Sequence, residues 1–584
     1  MRPAAVLVLV VLAFHARRAP AQQADSSFVF DSNVAVPMRD GVQLRADVLR
    51  PAGLGPFPVL VYRTPYGKTD ALKDYTTFTA AVHRGYAVVV QDVRGRFGSA
   101  GGFVAYQHEG KDGFDTIEWA ARQPWSNGLI GTFGLSYPGA VQWLAAVENP
   151  PHLKAMVPAM TFATPRRFFY SGGVWDLSWV NWIWADIAPD VRAARHLPGP
   201  QDYAAASAAW DSVGDSLVGQ LPLRSMAAFR GIAPWYYEWL AHPPADPWWN
   251  WAELAGRYGK TSAAVLNLSG WHDEAYGPSG AVRNFLGLRA ARRHLGSANT
   301  HLLIGPWAHG VDGTGRSTVG KREMGDQARI DYDDVVLRWM DHYLRGIDNG
   351  VDREPAVRVY VMGEGRWLES ARWPVADDSI TLYLTGDSAA GLSPTAPSAE
   401  HSGDMLESDP ANPVTDPYGG YSGAHDYRDF IRVPGLLTFD SQPMTQDLTV
   451  VGAIHARIYL STTGRDSDLW VRILDVTPDG TTWNLMNPGL DLMRASYRHE
   501  TRTPELLTPG RPYALDLNEL LTGNRFLAGH RIRVQISTAF FPWFSRNLNS
   551  GESEIASDRM QKARVTIYHD RVHASKIVLP VVSH

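Results

Sequence analysis

The chain has 584 residues, of which 20% are charged and 45% hydrophobic, with a formal net charge of −5 and no cysteine. A chain of this length exceeds what one ordinary core organises, so two or three domains are expected, and the composition is that of a folded globular protein. The small net charge, without any long basic or acidic run, excludes a nucleic-acid footprint. The lack of cysteine excludes disulfides, thiolate nucleophiles and cysteine-ligated zinc.

At the N-terminus, Arg2 precedes the apolar run Ala4 to Phe14, and Ala19-Pro20-Ala21 precedes Gln22. A basic start, an apolar stretch too short to span a bilayer and a small-x-small cleavage site predict a signal peptide over 1–21. The mature chain is therefore expected to be soluble and exported, to the periplasm or the medium. No later stretch approaches membrane-spanning length, so no stable membrane insertion is expected.

Asp40-Gly41 between alternating runs signals a hairpin. Phe57–Tyr62 reads as a strand ending in the loop Arg63-Thr64-Pro65-Tyr66-Gly67-Lys68, and a helical stretch through Phe78 to Val82 follows. The unbroken apolar run Tyr86–Gln91 fits a strand buried on both faces. A helix over Asp112–Ala120, a strand over Leu129–Phe133, a helix over Ala140–Val147 and a strand over Leu153–Pro158 continue the rhythm. Alternation of this kind predicts a mostly parallel sheet with helices on both faces, its active site beyond the carboxyl ends of the strands.

From 161 to 260 the rhythm stops, and ten of the chain's 21 tryptophans fall there. A helical cap insertion is expected, with most of those rings forming its core and a few lining an apolar pocket. Strands resume at Ala263–Leu268 and Thr300–Ile304, followed by a helix from about Gln327 to Arg345 and a domain boundary at Asp348-Asn349-Gly350. From Ala356 onward, runs such as Arg358–Met362, Ala456–Ser461 and Arg531–Ser537 predict a β-sandwich of the jelly-roll kind. The expected organisation is an α/β-hydrolase domain over 22–160 and 261–350, a cap over 161–260, and a C-terminal jelly roll over 351–584.

Gly134-Leu135-Ser136-Tyr137-Pro138-Gly139 sits where strand gives way to helix. A serine between small residues at such a turn is pushed out above the sheet, where the next helix aims its first amides. In a chain with 53 glycines, the three-residue match arises by chance with an expectation of roughly a few tenths. Partners must therefore carry the assignment. A serine needs a histidine base, and that histidine needs a carboxylate, in the chain order Ser, Asp or Glu, His, each after a strand. Asp273, in Ser269-Gly270-Trp271-His272-Asp273, and His309, in Gly305-Pro306-Trp307-Ala308-His309-Gly310, fit. His272 and Glu274 are their competitors; His272 ranks behind His309 because no carboxylate is left to serve it.

These three motifs together resemble the cocaine esterase/X-Pro dipeptidyl-peptidase (S15) family, which includes α-amino acid ester hydrolases and glutaryl-cephalosporin acylases. Met38-Arg39-Asp40-Gly41-Val42, Arg63-Thr64-Pro65-Tyr66-Gly67, Gln91 to Ser99, Asp475 to Gly480, Gly529-His530-Arg531 and Asn547 to Gly551 extend the resemblance over the whole mature chain. It implies an α/β-hydrolase domain, a helical cap and a jelly roll, with the Tyr66 hydroxyl joining the Tyr137 backbone N–H in an oxyanion hole. Members acting on free α-amines carry acids two and three residues after the triad aspartate. Here those positions are Ala275 and Tyr276, leaving Glu274 and Asp176 as acids able to substitute.

Arg166 and Arg167 would suit an anionic acyl group if they point inward. Arg167, Phe169, Trp175 and Trp271 are the candidate substrate-binding residues. No cofactor is expected, and no metal, because the histidines are not spaced as ligands on one helix. The expected activity is cleavage of a small ester, amide or short peptide through an acyl-enzyme. An X-Pro dipeptidyl aminopeptidase is the alternative within enzymes, and a catalytically inactive binding protein is the alternative outside them.

Overall fold

The computed structural model describes residues 28–293, 299–386, 391–419, 422–486, 491–500 and 503–583. The expected signal peptide over 1–21 lies outside the described residues. The first sheet has ten strands: β1 (Phe28–Pro37), β2 (Gln43–Pro51), β3 (Phe57–Thr64), β4 (Ala87–Asp92), β5 (Ser126–Leu135), β6 (Leu153–Ala159), β7 (Ala264–His272), β8 (Thr300–Ala308), β9 (Val357–Val361) and β10 (Arg366–Ser370). Their spatial order is β1-β2-β4-β3-β5-β6-β7-β8-β9-β10.

Neighbouring strands from β4 through β9 run parallel, and the antiparallel hairpins β1–β2 and β9–β10 close the edges. The β1–β2 turn places Gly41 at φ +85, a conformation costly for residues with a Cβ. All six residues of β4 are buried, as expected for a strand covered on both faces. The chain lays β4 on one side of β3 and then crosses to lay β5 on the other. Open α/β sheets form their clefts beyond the carboxyl ends of the strands at such a reversal. The loop carrying Tyr66 and the turn carrying Ser136 leave the sheet at this point.

Two expectations change. Arg358–Met362 was expected in the β-sandwich, yet β9 pairs parallel with β8, Leu302 opposite Val357, and belongs to the first sheet. The helix Tyr332–Arg345 is the crossover that brings β9 there. That sheet therefore continues past residue 350 to Ser370. The same helix begins at Tyr332, not near Gln327, because the Asp331 side chain accepts the Asp334 N–H at 3.0 Å and caps it.

Between β6 and β7 the chain forms the cap, a set of short helices whose buried aromatic rings pack edge-to-face and stacked. Phe169 lies against Trp179, Trp239 and Trp249 with ring centroids 4.4–5.0 Å apart. Beyond Ser370 the structure is mostly antiparallel β, the expected β-sandwich of the jelly-roll kind. Its longest pair joins Leu448–Thr462 to Tyr513–Phe526, and Asp468–Val476 pairs with Arg531–Ser537.

Backbone hydrogen bonds tie this domain to both others. Met362 N–H donates to Gly523 O at 2.9 Å and Arg525 N–H to Met362 O at 2.8 Å, joining it to the strand after β9. From the cap, Leu177 N–H donates to Trp543 O at 2.9 Å and Leu223 N–H to Glu554 O at 3.0 Å; Ser545 N–H donates back to Trp175 O at 2.8 Å.

Beneath this seam Arg494, buried, bonds both Asp468 (Nε–Oδ1, 2.8 Å) and Glu554 (Nη1–Oε2, 2.7 Å). Two buried carboxylates facing one guanidinium cannot lose it cheaply. Arg494→Met is expected to lower unfolding stability by about 3–5 kcal/mol, read as a lower urea midpoint. An unchanged midpoint would show the network to be dispensable.

Candidate active site

Ser136 has φ 69 and ψ −129, the strained conformation of a nucleophile turn. The glycines around it are there for space. A Cβ on Gly134, itself at φ +138, would lie 2.6 Å from Pro138 Cβ, and one on Gly139 would lie 2.5 Å from Ala159 O in β6. The second glycine of the motif thus stands one place later than in the common spelling because residue 139 is where the helix Tyr137–Ala146 meets β6. The amides are also sorted. Ser136 N–H donates to Ala159 O at 3.1 Å, Gly139 and Ala140 N–H both donate to Ser136 O at 2.9 Å, and Pro138 has no N–H. The Tyr137 N–H, at the start of the helix, has no intrahelical acceptor and remains for a ligand.

β7 and β8 run beyond their apolar cores, to His272 and Ala308, so Asp273 and His309 are the first residues off the two strands. Glycine makes this possible: a Cβ on Gly270 would lie 2.1 Å from Trp307 O, and one on Gly305 would lie 2.4 Å from the Trp307 ring. His309 Nδ1 and Asp273 Oδ1 are 2.8 Å apart, with Asp273 fully buried and His309 half-buried. Asp273 Oδ1 also accepts the Ala275 N–H at 3.3 Å, and the Asp273 carbonyl accepts the Gly277 N–H at 2.9 Å. Glu274 takes a different place: its Oε2 accepts the His309 backbone N–H at 3.0 Å. His272 is the fully buried last residue of β7.

Two phenols lie beside the Ser136 side chain, those of Tyr66 and Tyr276. Burial holds both well above the ordinary phenol pKa, so both are neutral donors near pH 7. The Tyr66 hydroxyl also accepts the Trp182 indole N–H at 3.1 Å, and the Tyr276 and Tyr106 hydroxyls are 3.1 Å apart. The Tyr276 ring stacks on His309 at 5.6 Å and on Phe168 at 4.6 Å. Sequence reasoning gave Tyr276 no role and left Tyr106 and Trp182 unassigned, since aromatic residues at a site look the same as those in a core.

Beside Tyr276 opens a cleft of about 100 Å³ with walls from all three parts of the chain, among them Arg167, Asp176, Glu274, Tyr276, Glu519 and Trp543. Of the four residues expected to bind substrate, only Arg167 reaches it. Phe169 and Trp175 are instead buried in the cap's own aromatic core. Trp271 is fully buried, donates its indole N–H to Tyr360 O in β9 at 2.7 Å, and lays its ring against Gly523 of the β-domain. Arg167 is paired with Glu500 at 3.2 Å and lies 3.9 Å from Glu519, so its charge is already balanced. Among the described residues no group of three or more His, Asp or Glu is placed to hold a metal ion, and no helix is long and apolar enough to cross a membrane.

The family model for the X-Pro dipeptidyl-peptidase (S15 family) matches residues 40–311, and that for the X-Pro dipeptidyl-peptidase C-terminal non-catalytic domain matches 349–578. Over 587 aligned residues, 96% of this chain and 99% of the other, the sequence is 33% identical to the cocaine esterase of Rhodococcus sp. (strain MB1 Bresler). The chain belongs to the S15 family. This S15 protein is a serine hydrolase. Its fold superposes on an α-amino acid ester hydrolase with a TM-score of 0.80 at 25% identity, covering 98% of this chain and 100% of that one. It superposes on an aminopeptidase from a marine-sediment Thaumarchaeota archaeon with a TM-score of 0.79 at 22% identity, covering 96% and 98%.

Burial lowers the pKa of His309, but Asp273, Glu274 and Asp186 outweigh it and hold the imidazole above the ordinary histidine value of 6.5. A histidine acting as base must be neutral, so activity is lost as pH falls through this raised pKa. The acid limb of kcat/KM for a neutral ester is therefore expected above pH 6.5. A limb at pH 5.5 would contradict the environment described for His309.

Proposed function

We propose that this S15 hydrolase cleaves an acyl ester or amide through an acyl-enzyme formed on Ser136. His309 takes the serine proton and returns it to the leaving group. Asp273 fixes the tautomer that leaves Nε2 free and stabilises the imidazolium, and the Tyr66 hydroxyl with the Tyr137 N–H holds the oxyanion. The observation that carries this reading is the 2.8 Å His309–Asp273 bond at two strand ends of the sheet whose β5 ends in the strained Ser136 turn. Similarity to an esterase over nearly the whole of both chains supports it. Export is part of the proposal, supported by the basic start, apolar run and small-x-small site ahead of Gln22.

The wild-type protein is expected to be labelled by a fluorophosphonate at Ser136. Ser136→Ala should lose labelling and lower ester turnover by roughly a thousandfold or more while keeping its thermal midpoint. Tyr66→Phe should lower kcat by roughly 10²-fold. Labelling at another serine, or near-normal turnover by Ser136→Ala, would refute the assignment.

A second reading concerns the substrate, and the cleft favours it. Burial raises Asp176 to about 6 and Glu274 to about 7; Asp176 is offset only by hydrogen bonds from Ser178, and Glu274 by His309. Both would gain from a cationic group seated between them, such as the free amine of an amino ester or of an X-Pro dipeptide. Under this reading Asp176→Asn raises KM for Ala-Pro anilide with a free amine and leaves the amine-blocked anilide unchanged. Equal cleavage of free and blocked substrates by the wild type would remove it.

A further inference from the structure

Behind the proposed oxyanion donor Tyr66 stands the indole of Trp182. Trp182 ends a short cap helix, Ser178–Trp182, and the next turn, Ile183–Ile187, is π-helical, with Ala188 N–H reaching back five residues to Ile183 O. Such turns are uncommon and gather at functional positions, because widening the helix frees carbonyls and re-aims side chains. Two of the carbonyls in that turn, Asp186 O and Ile187 O, are each taken by Arg96 at 3.1 Å.

Arg96 is fully buried, and its Nε donates to Pro65 O at 2.8 Å, directly before Tyr66; Asp190 pairs with it at 2.8 Å. One guanidinium therefore grips both the loop that carries Tyr66 and the turn that follows Trp182. The Trp182 ring is fixed as well, near-parallel to the Tyr137 ring at 6.3 Å and edge-on to Trp179 at 5.3 Å. Between the two gripped segments runs the 3.1 Å bond from Trp182 Nε1–H to the Tyr66 hydroxyl oxygen.

We propose that Trp182 is a positioning residue of the oxyanion hole, its indole N–H fixing and polarising the Tyr66 hydroxyl that faces Ser136. A phenol oxygen that already accepts one hydrogen bond directs its own proton to the remaining partner and donates it more strongly. In the tetrahedral intermediate that partner is the oxyanion, and the gain is greatest because the acceptor is charged. No proton leaves Tyr66 or Trp182; the step moves only the serine proton to His309. This inference rests on the proposed role of Tyr66.

Trp182→Phe keeps an aromatic ring and deletes the donor. It is expected to lower kcat for a p-nitrophenyl ester by about 3- to 10-fold, the worth of one modest hydrogen bond, with KM changed less than twofold. In a Tyr66→Phe background the same substitution should have no further effect, since the bond it removes is already gone. 3-Benzothienylalanine at position 182, with the bicyclic shape of tryptophan and no N–H, should reproduce the kcat loss and serves if Trp182→Phe folds poorly. The indole 15N–1H resonance of Trp182 should shift on Tyr66→Phe and again when a boronic acid forms its tetrahedral adduct at Ser136.

Full kcat in the donor-deleted variants, an equal loss in both Tyr66 backgrounds, or an indole resonance blind to Tyr66 would overturn the inference. Failure of the underlying reading looks different: Ser136 would not be labelled by fluorophosphonate, or Tyr66→Phe alone would turn over normally.

Discussion

The close approach of the helix Tyr137–Ala146 to β6 governs the site. At Gly139 the helix backbone lies so near Ala159 O that even a methyl group has no room, and the chain turns there only by holding Ser136 at positive φ. That conformation costs of order 1–3 kcal/mol and persists because packing on both sides over-determines it. The strain is what lifts the hydroxyl out of the sheet and leaves a helix-start amide beside it. Asp273 and His309 obey a related constraint. Gly270 and Gly305 make room for Trp307, so β7 and β8 stay paired to the point where both side chains leave the sheet.

The elements nearest this geometry were legible in the sequence because their reasons are local. Glycines flank a serine, apolar runs alternate with helices, and polar residues stand just past the runs; each fixes a short segment without knowledge of the others. The cap was legible only as a class. Its tryptophans showed that a dense aromatic body would form, but Phe169 and Trp175 are buried within that body while Trp182 bonds the Tyr66 hydroxyl. No spacing distinguishes those outcomes, since ring orientation follows from crossing segments far apart in sequence. Trp271 misled for a similar reason. It stands only two residues before Asp273, but it is still inside β7 and its ring is packed against Gly523 of the β-domain, whereas Asp273 is the first residue to leave the strand.

Charge around the site follows from burial more than from composition. The net charge of −5 is unremarkable for the length, while Asp186, Asp176 and Glu274 are collected around one histidine and one cleft with few cations to offset them. Burial raises Asp186 to about 7, with Arg96 and His309 opposing it. A histidine surrounded in this way is easier to protonate, which suits the proton-carrying role proposed for His309. It also sets the pH range over which that group starts out neutral.

The two strands that complete the hydrolase sheet, β9 and β10, lie beyond the Asp348-Asn349-Gly350 turn, and the residue following β9 exchanges backbone hydrogen bonds with the long strand Tyr513–Phe526. The sheet that carries the candidate triad and the β-sandwich are thus not beads on a string. A chain cut at the apparent linker would leave β8 with an open edge and the cleft without one of its three walls. The C-terminal half therefore belongs to the body that carries the site, and the cleft exists only where it, the cap and the sheet domain meet.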